Sequence, residues 1–307
     1  MTQIRPTHAV VTEHVSTLLP LKKNDVSRIY HVPRHPRYDP TRSPVDKIIL
    51  SVTPTSGVYE EIGHLKAPAS QSSVDGAPPA RKPPRVVCFL HRPFTLDRRR
   101  VRKGTLILAS HTAFDEVLTV GWNTLFAAGL GMDLPQSICI QGYKGDPERK
   151  IGIVGRVSQQ QVDLLRHIQQ EFGPTEHFER SACNEIQVVA IMNAFRSEEV
   201  DRVLNVAQQQ LCLSPERGGA EILYLTGQPR ESGLAAAKVH GMAVACVGHR
   251  AAEEWGIRCL AASLRSAFPK VEVKEIYEEE EMAPQKHEKE QGTEAVTNNT
   301  TSTKHQQ

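Results

Sequence analysis

The 307-residue sequence has no apolar run that could cross a bilayer: its longest, such as "GMAVACVG" and "TLILAS", fall well short of the roughly 20 residues a spanning helix needs. The first residues also lack the basic-then-apolar pattern of a secretory signal. Together these absences predict a soluble protein in the cytoplasm, with the nucleus as the alternative address. The six cysteines, at 88, 139, 183, 212, 246 and 259, stand singly and form no C-x-x-C pair. Buried free thiols are therefore expected rather than disulfides or a cysteine zinc site. A net charge of only +2 predicts no bulk affinity for polyanions. No fixed-period repeat is visible, and Ser181, Cys183, Ser232 and Cys246 lie in no nucleophile signature. "GIVGR" at 152–156 lacks the Lys-Ser/Thr of a phosphate loop, so it reads as a tight turn or strand bulge.

What charge there is lies unevenly. Residues 81–105 carry nine Lys or Arg against Asp97 alone. Within them "RRRVRKG", 98–104, offers clustered cations but no neighbouring aromatic residues for base stacking, so a solvated loop is expected and nucleic acid is not. Residues 1–45, with "RIYHVPRHPRYDPTRSP", read as an extended proline-rich and basic lead-in. The segment 67–84 reads as a surface loop. Residues 278–307, starting "EEEEMAPQKHEKE", hold almost nothing to bury and read as a disordered tail.

Between these flanks, short apolar runs alternate with segments of three- and four-residue apolar spacing. Strands are expected at 46–52, 85–90, 105–110, 150–157, 185–192, 220–226 and 242–248. Helices are expected at "SGVYEEIGHL", "DEVLTVGWNTLFAAGL", "QQQVDLLRHIQQEF", "SEEVDRVLNVAQQQL", "RESGLAAAKVH" and "AAEEWGIRCLAASLRSAF". The alternation predicts an α/β fold of layered α/β/α type, with mixed or mostly parallel sheets.

In such folds, sites form beyond the carboxyl ends of the strands. Three of the expected strands run into histidine there: His91, His111 and His249. Two of these precede a carboxylate by four residues, giving His111 with Asp115 and His249 with Glu253. A histidine and a carboxylate at that spacing share one helical face, where they could grip an ion or polarise a water. Mixed nitrogen and carboxylate ligands suit zinc, iron, manganese, nickel or cobalt more than calcium.

The stretches "FLHRPFTLD", "LASHTAFDE", "ERKIGIVGRV", "YLTGQPRES" and "VGHRAAEEWGIRCLAASL" resemble, in order, motifs of the Nif-three-like family, the NGG-interacting-factor-three proteins. The resemblance runs from about residue 46 to 268. It implies a two-lobed protein whose first lobe is completed by the C-terminal segment: 46–140 plus 216–277 as the metal-site lobe, and 141–215 as the second. It places metal ligands at His91, Asp115, His249 and Glu253, with Glu253 also the candidate base. His111 falls outside the usual ligand set and is expected to hydrogen-bond to a ligand or a substrate anion rather than bind the ion. Three departures stand out: Arg92 replaces a second adjacent histidine, Gln228 replaces an acid, and the family's N-terminal helix with its "DNVG"-type motif is missing from 1–45. Arg92 is then expected to hold a substrate anion or pair with Asp115, and one metal ion per chain is expected rather than two. The resemblance further implies a ring-shaped homo-oligomer. For function it implies a metal-dependent hydrolase of a small phosphorylated or nucleotide-like substrate. The alternative is a non-catalytic metal-binding or protein-interaction protein, in some relatives linked to transcription.

Overall fold

The structure, a computed structural model, describes residues 5–64 and 84–279. Its strands are β1 (Ile29–His31), β2 (Lys47–Ser51), β3 (Val86–Leu90), β4 (Thr105–Ala109), β5 (Ile138–Tyr143), β6 (Asp146–Gln160), β7 (His177–Glu179), β8 (Glu185–Met192), β9 (Ile222–Thr226), β10 (Ala243–Cys246) and β11 (Glu272–Ile276). Its helices are α1 (His8–Leu18), α2 (Ser56–Ile62), α3 (Thr112–Val117), α4 (Thr124–Gly129), α5 (Gln161–Phe172), α6 (Ser197–Gln209), α7 (Glu231–Val239) and α8 (His249–Ala267). Every strand and helix expected from the sequence is present, although the long segment at 115–130 is two helices. Asn123 separates them, its side chain accepting the Phe126 N–H as the cap of α4.

Two sheets result. One has the order β1-β4-β3-β2-β11, parallel except for β1. The other has the order β5-β6-β8-β9-β10-β7, with β8, β9 and β10 parallel. All residues of β3, β4, β9 and β10 are buried, as befits parallel strands covered on both faces. In the first sheet α2 packs on one face, and α1, α3 and α8 on the other. In the second, α6 and α7 cover one face, and α4, α5 and α8 the other. Helix α8 serves both cores, with Trp255 in one and Ile257, Leu260 and Leu264 in the next.

Three expectations need correction. The lead-in is not extended throughout, nor is an N-terminal helix missing: α1 buries Val11 and Val15, Leu19 just beyond its end continues the four-residue spacing, and Thr7 caps it. Residues 216–277 do not form one lobe. Strands β9 and β10 hydrogen-bond to β8 in the second sheet, because their apolar runs pair in parallel register with it, and only β11 joins the first. The run 98–104 is not simply solvated either. Arg100 lies 3.7 Å from the Tyr59 ring centre, Arg98 lies 4.9 Å from that of Tyr30, and Arg102 is only 7% exposed. The aromatic partners were invisible in sequence because they come from β1 and α2. Of the expected tail, residues 280–307 lie outside the described residues, as does most of the 67–84 loop.

Candidate metal centre

Register decides where the first histidine goes. Leu90 pairs with Ala109, so His91 and Ser110 leave the sheet side by side, and His91 Nδ1 lies 3.0 Å from the Ser110 carbonyl. A carbonyl only accepts, so Nδ1 carries a proton and Nε2 is turned toward the carboxylates. Nε2 lies 3.3 Å from Asp115 Oδ1 and 3.2 Å from Glu253 Oε1, and the ring is fully buried.

Asp115 is placed by α3, and α3 is anchored by a residue far away in sequence. Asp25, just before β1, accepts the N–H groups of His111 at 2.8 Å, Thr112 at 2.8 Å and Ala113 at 3.1 Å, together with the Ser110 hydroxyl at 3.0 Å. Burial raises the Asp25 carboxyl, but these backbone bonds outweigh it and hold it below the usual carboxylate range. The cap fixes the turn that carries both His111 and Asp115, whose Nδ1 and Oδ2 lie 3.9 Å apart. Arg149, from β6, comes within 3.6 Å of the same oxygen.

Glu253 arrives from the second sheet. Gly248, at φ +94°, turns the chain from β10 into α8, so that His249 begins the helix and Glu253 lies one turn on. Gly256 then lets α8 close on α3: a Cβ there would sit 2.6 Å from Phe114 Cζ and 2.7 Å from the Leu118 carbonyl. Glu253 Oε1, almost fully buried, has three nitrogens about it: His91 Nε2, His249 Nε2 at 3.2 Å and Arg92 Nε at 3.3 Å. Arg92 thus meets Glu253, whereas a substrate anion or Asp115 had been its expected partner.

The electrostatics follow from this crowding. Burial lowers the His91 pKa, but Asp115 and Glu253 outweigh it and push it up to about 9. Burial raises Glu253, yet His249 and His91 bring it down to about 2. His249 is raised by Glu253, and His111 is lowered, chiefly by burial. The buried His91 ring and the guanidinium groups of Arg92 and Arg149 thus surround the two carboxylates.

Three buried atoms of this cluster, His91 Nε2, His111 Nδ1 and Glu253 Oε1, have no partner in hydrogen-bond geometry. Close approach without alignment is what convergence on a shared cation produces, and a nitrogen and carboxylate donor set fits a borderline transition metal. The ligand atoms of His91, His111 and Asp115 all lie within 4.8 Å of one another. His111, expected outside the ligand set, therefore stands inside the candidate group. Glu253 touches it through His91, while His249 reaches it only through Glu253 and is half exposed. Sequence reasoning missed Asp25, which has no local signal, and Arg149, which lies within the quoted stretch "ERKIGIVGRV".

Fold and cluster together define a two-sheet α/β protein with a candidate metal centre where the two sheets meet. Residues 96–282 match the family described as Duf34/NIF3 (NGG1p interacting factor 3), and the chain belongs to that family. No curated protein matches its sequence. Among solved structures it is similar to the protein ybgI, described as of unknown function, at 15% identity and a TM-score of 0.55, covering 88% of this chain and 97% of that one. Reduced HcgD from Methanocaldococcus jannaschii gives 14% and 0.56 over 88% and 97%. A Bacillus cereus protein related to NIF3 gives 11% and 0.50 over 92% and 99%. These likenesses support the fold. No helix of the described residues is long and apolar enough to cross a membrane.

Proposed function

We propose that the protein is a metal-dependent hydrolase of a small phosphorylated or nucleotide-like substrate, holding one divalent transition metal ion per chain. The observation that carries this reading is the cavity onto which the cluster opens. It measures about 320 Å³, and Asp115, His249 and Glu253 share its wall with Lys144, Arg149, Arg196 and Arg230. Lys144, Arg196 and Arg230 form no ion pair among the described residues, so a substrate anion there would find cations not already neutralised.

His91, His111 and Asp115 are the residues to hold the ion, with Glu253 beside them. The bound ion would acidify a water and polarise a phosphoryl oxygen. Glu253, ionised at neutral pH, is the group to take a proton from the attacking water. Arg149, beside Asp115, and Lys144, on the β5–β6 turn, are set to hold phosphate oxygens. Arg92 puts a fixed positive charge where the family pattern has a second imidazole, which supports a single ion.

The test is a screen of purified chain, loaded in turn with zinc, iron, manganese, nickel and cobalt, against nucleotides and phosphoesters. Turnover that Glu253→Gln abolishes supports the hydrolase. No turnover with any metal assigns the chain to the non-catalytic metal-binding or interaction alternative. The same reading includes a homo-oligomer: light scattering should exceed the 34.1 kDa of one chain, and a monomer mass at micromolar concentration would overturn it.

A further inference from the structure

The first sheet has a second edge. The cluster lies beyond the carboxyl ends of β3 and β4, whereas Arg85 and Gly104 immediately precede these strands at the opposite end. Five-residue strands separate the two edges by roughly 17 Å. At the far edge lies a cavity of about 340 Å³ whose polar wall includes His8, Arg37, Tyr38, Arg85, Arg102 and Lys103. No carboxylate lines it among the described residues.

Two of these side chains are buried within the fold. Arg102 is 7% exposed, donates through Nη2 to the Pro84 carbonyl at 3.1 Å, forms no ion pair among the described residues, and leaves Nε without a hydrogen-bond partner. A buried guanidinium cannot shed its charge and is costly to keep without a counter-ion. The nearby carboxylate of Glu61 is already engaged by Lys47 and Lys274. His8 is 1% exposed. Its Nδ1 lies 3.0 Å from the Tyr38 hydroxyl, and its Nε2 has no partner. Burial, helped by Asp39, pushes the Tyr38 phenol up to about 12, so its hydroxyl keeps its proton and can donate to Nδ1. That leaves the ring proton on Nε2, as a further donor. Arg37, Arg85 and Lys103 are exposed and bring three more cations to the rim. Donors and positive charge gathered in a concave wall that holds no carboxylate among the described residues describe half of an ionic interaction.

We propose that this cavity is an anion site that takes the phosphate group of a small phosphorylated molecule, separately from the metal cluster. Arg102 supplies the buried charge. His8 and Tyr38 set the floor, and Arg37, Arg85 and Lys103 close over the phosphate oxygens. The recess favours a compact dianion over a nucleic-acid backbone, which would need an open basic surface.

Calorimetric titration of the full chain with inorganic phosphate and with pyrophosphate tests this. Saturable binding of one equivalent per chain is expected in a background carrying Arg149→Ala and Arg230→Ala, which weakens phosphate binding at the other cation-lined cavity, and it should be competed by sulfate and not by chloride. The double variant Arg37→Ala/Lys103→Ala changes only exposed side chains, and should weaken binding by about tenfold or more with an unchanged circular dichroism spectrum. Arg102→Met, which keeps the packing of the stem, should abolish binding. His91→Ala should leave it intact, which separates this site from phosphate held at the cluster. The proposal is overturned by absence of saturable binding into the millimolar range, by undiminished binding in the double variant, or by loss in His91→Ala. Binding of a duplex oligonucleotide where phosphate fails would also overturn it.

Discussion

Replacing Asp25 should damage the metal centre from a distance, and the size of the effect follows from its bonds. Its Oδ1 accepts the N–H groups of Val26, His111 and Thr112, and its Oδ2 accepts the Ser110 hydroxyl and the Ala113 N–H. Asp25→Ala strips the first turn of α3 of its cap. Loss of a helix cap costs about 0.5–2 kcal/mol, and hydrogen bonds to a charged group contribute about 1.5–3 kcal/mol. Because the site is half-buried and water can replace part of the loss, a net destabilisation of about 2–4 kcal/mol is expected, a fall in Tm of roughly 5–15 °C. Asp25→Asn keeps one acceptor but turns an amide donor toward Ala113 and Ser110, so an intermediate loss is expected. The pH dependence has a definite sign. The folded carboxyl is held below its unfolded value, so its stabilisation is complete above the unfolded carboxylate pKa of about 3.9. It is lost as pH falls through the folded value, and wild type and variant should converge in acid. Thermal melts across pH, with metal titrations at neutral pH, make the comparison. Equal Tm and equal metal affinity in Asp25→Ala, or a gap that widens in acid, would refute the reasoning.

Gly256→Ala should cost about 1–3 kcal/mol in denaturant unfolding, since its Cβ has no room against Phe114 and Leu118; an unchanged midpoint would show that α8 and α3 can separate freely. The metal-free protein should lose stability as pH rises from about 6.5 toward about 9. Its raised His91 pKa means that the stabilising proton is held below the unfolded value and released through the folded one. A melt series that stays flat over that window, with metal excluded by chelator, would contradict the buried imidazolium. Arg92→His removes a charge that repels a divalent ion by about 4 kcal/mol per unit charge pair at roughly 4 Å and an effective dielectric of about 20. Its metal content should move from one ion toward two, and an unchanged ratio would remove Arg92 as the reason for a single ion.

Much of this arrangement was legible in the chain itself. Continuous apolar runs ending in histidine marked β3, β4 and β10 because buried parallel strands need side chains that tolerate both faces. The four-residue spacing of His111 with Asp115 and of His249 with Glu253 survives as contacts of 3.9 and 3.2 Å. What an apolar run does not encode is its neighbour, and so β9 and β10 were placed with the wrong sheet. Helix α1 was hidden by its polar surroundings: Val11, Val15 and Leu19 make a narrow stripe beside a proline-rich segment. Strand β5 escaped notice because it is only partly buried and forms through a hairpin in which Lys144 and Gly145 take left-handed backbone conformations. Asp25 and Arg149 act through contacts made only after the chain has folded, across 86 residues in the bond from Asp25 to the His111 N–H. The basic run at 98–104 gave its charge away but not its depth, since Arg102 is buried and its guanidinium donates to the Pro84 carbonyl, 18 residues earlier in the chain.

Elemental analysis of the full chain, purified without chelator and then loaded with each of zinc, iron, manganese, nickel and cobalt, tests the central claim of a metal centre built on His91, His111 and Asp115. The account predicts close to one ion per chain for at least one of these metals, with binding lost in His91→Ala while the fold persists by circular dichroism. No bound metal after loading, or full retention in His91→Ala, would contradict it.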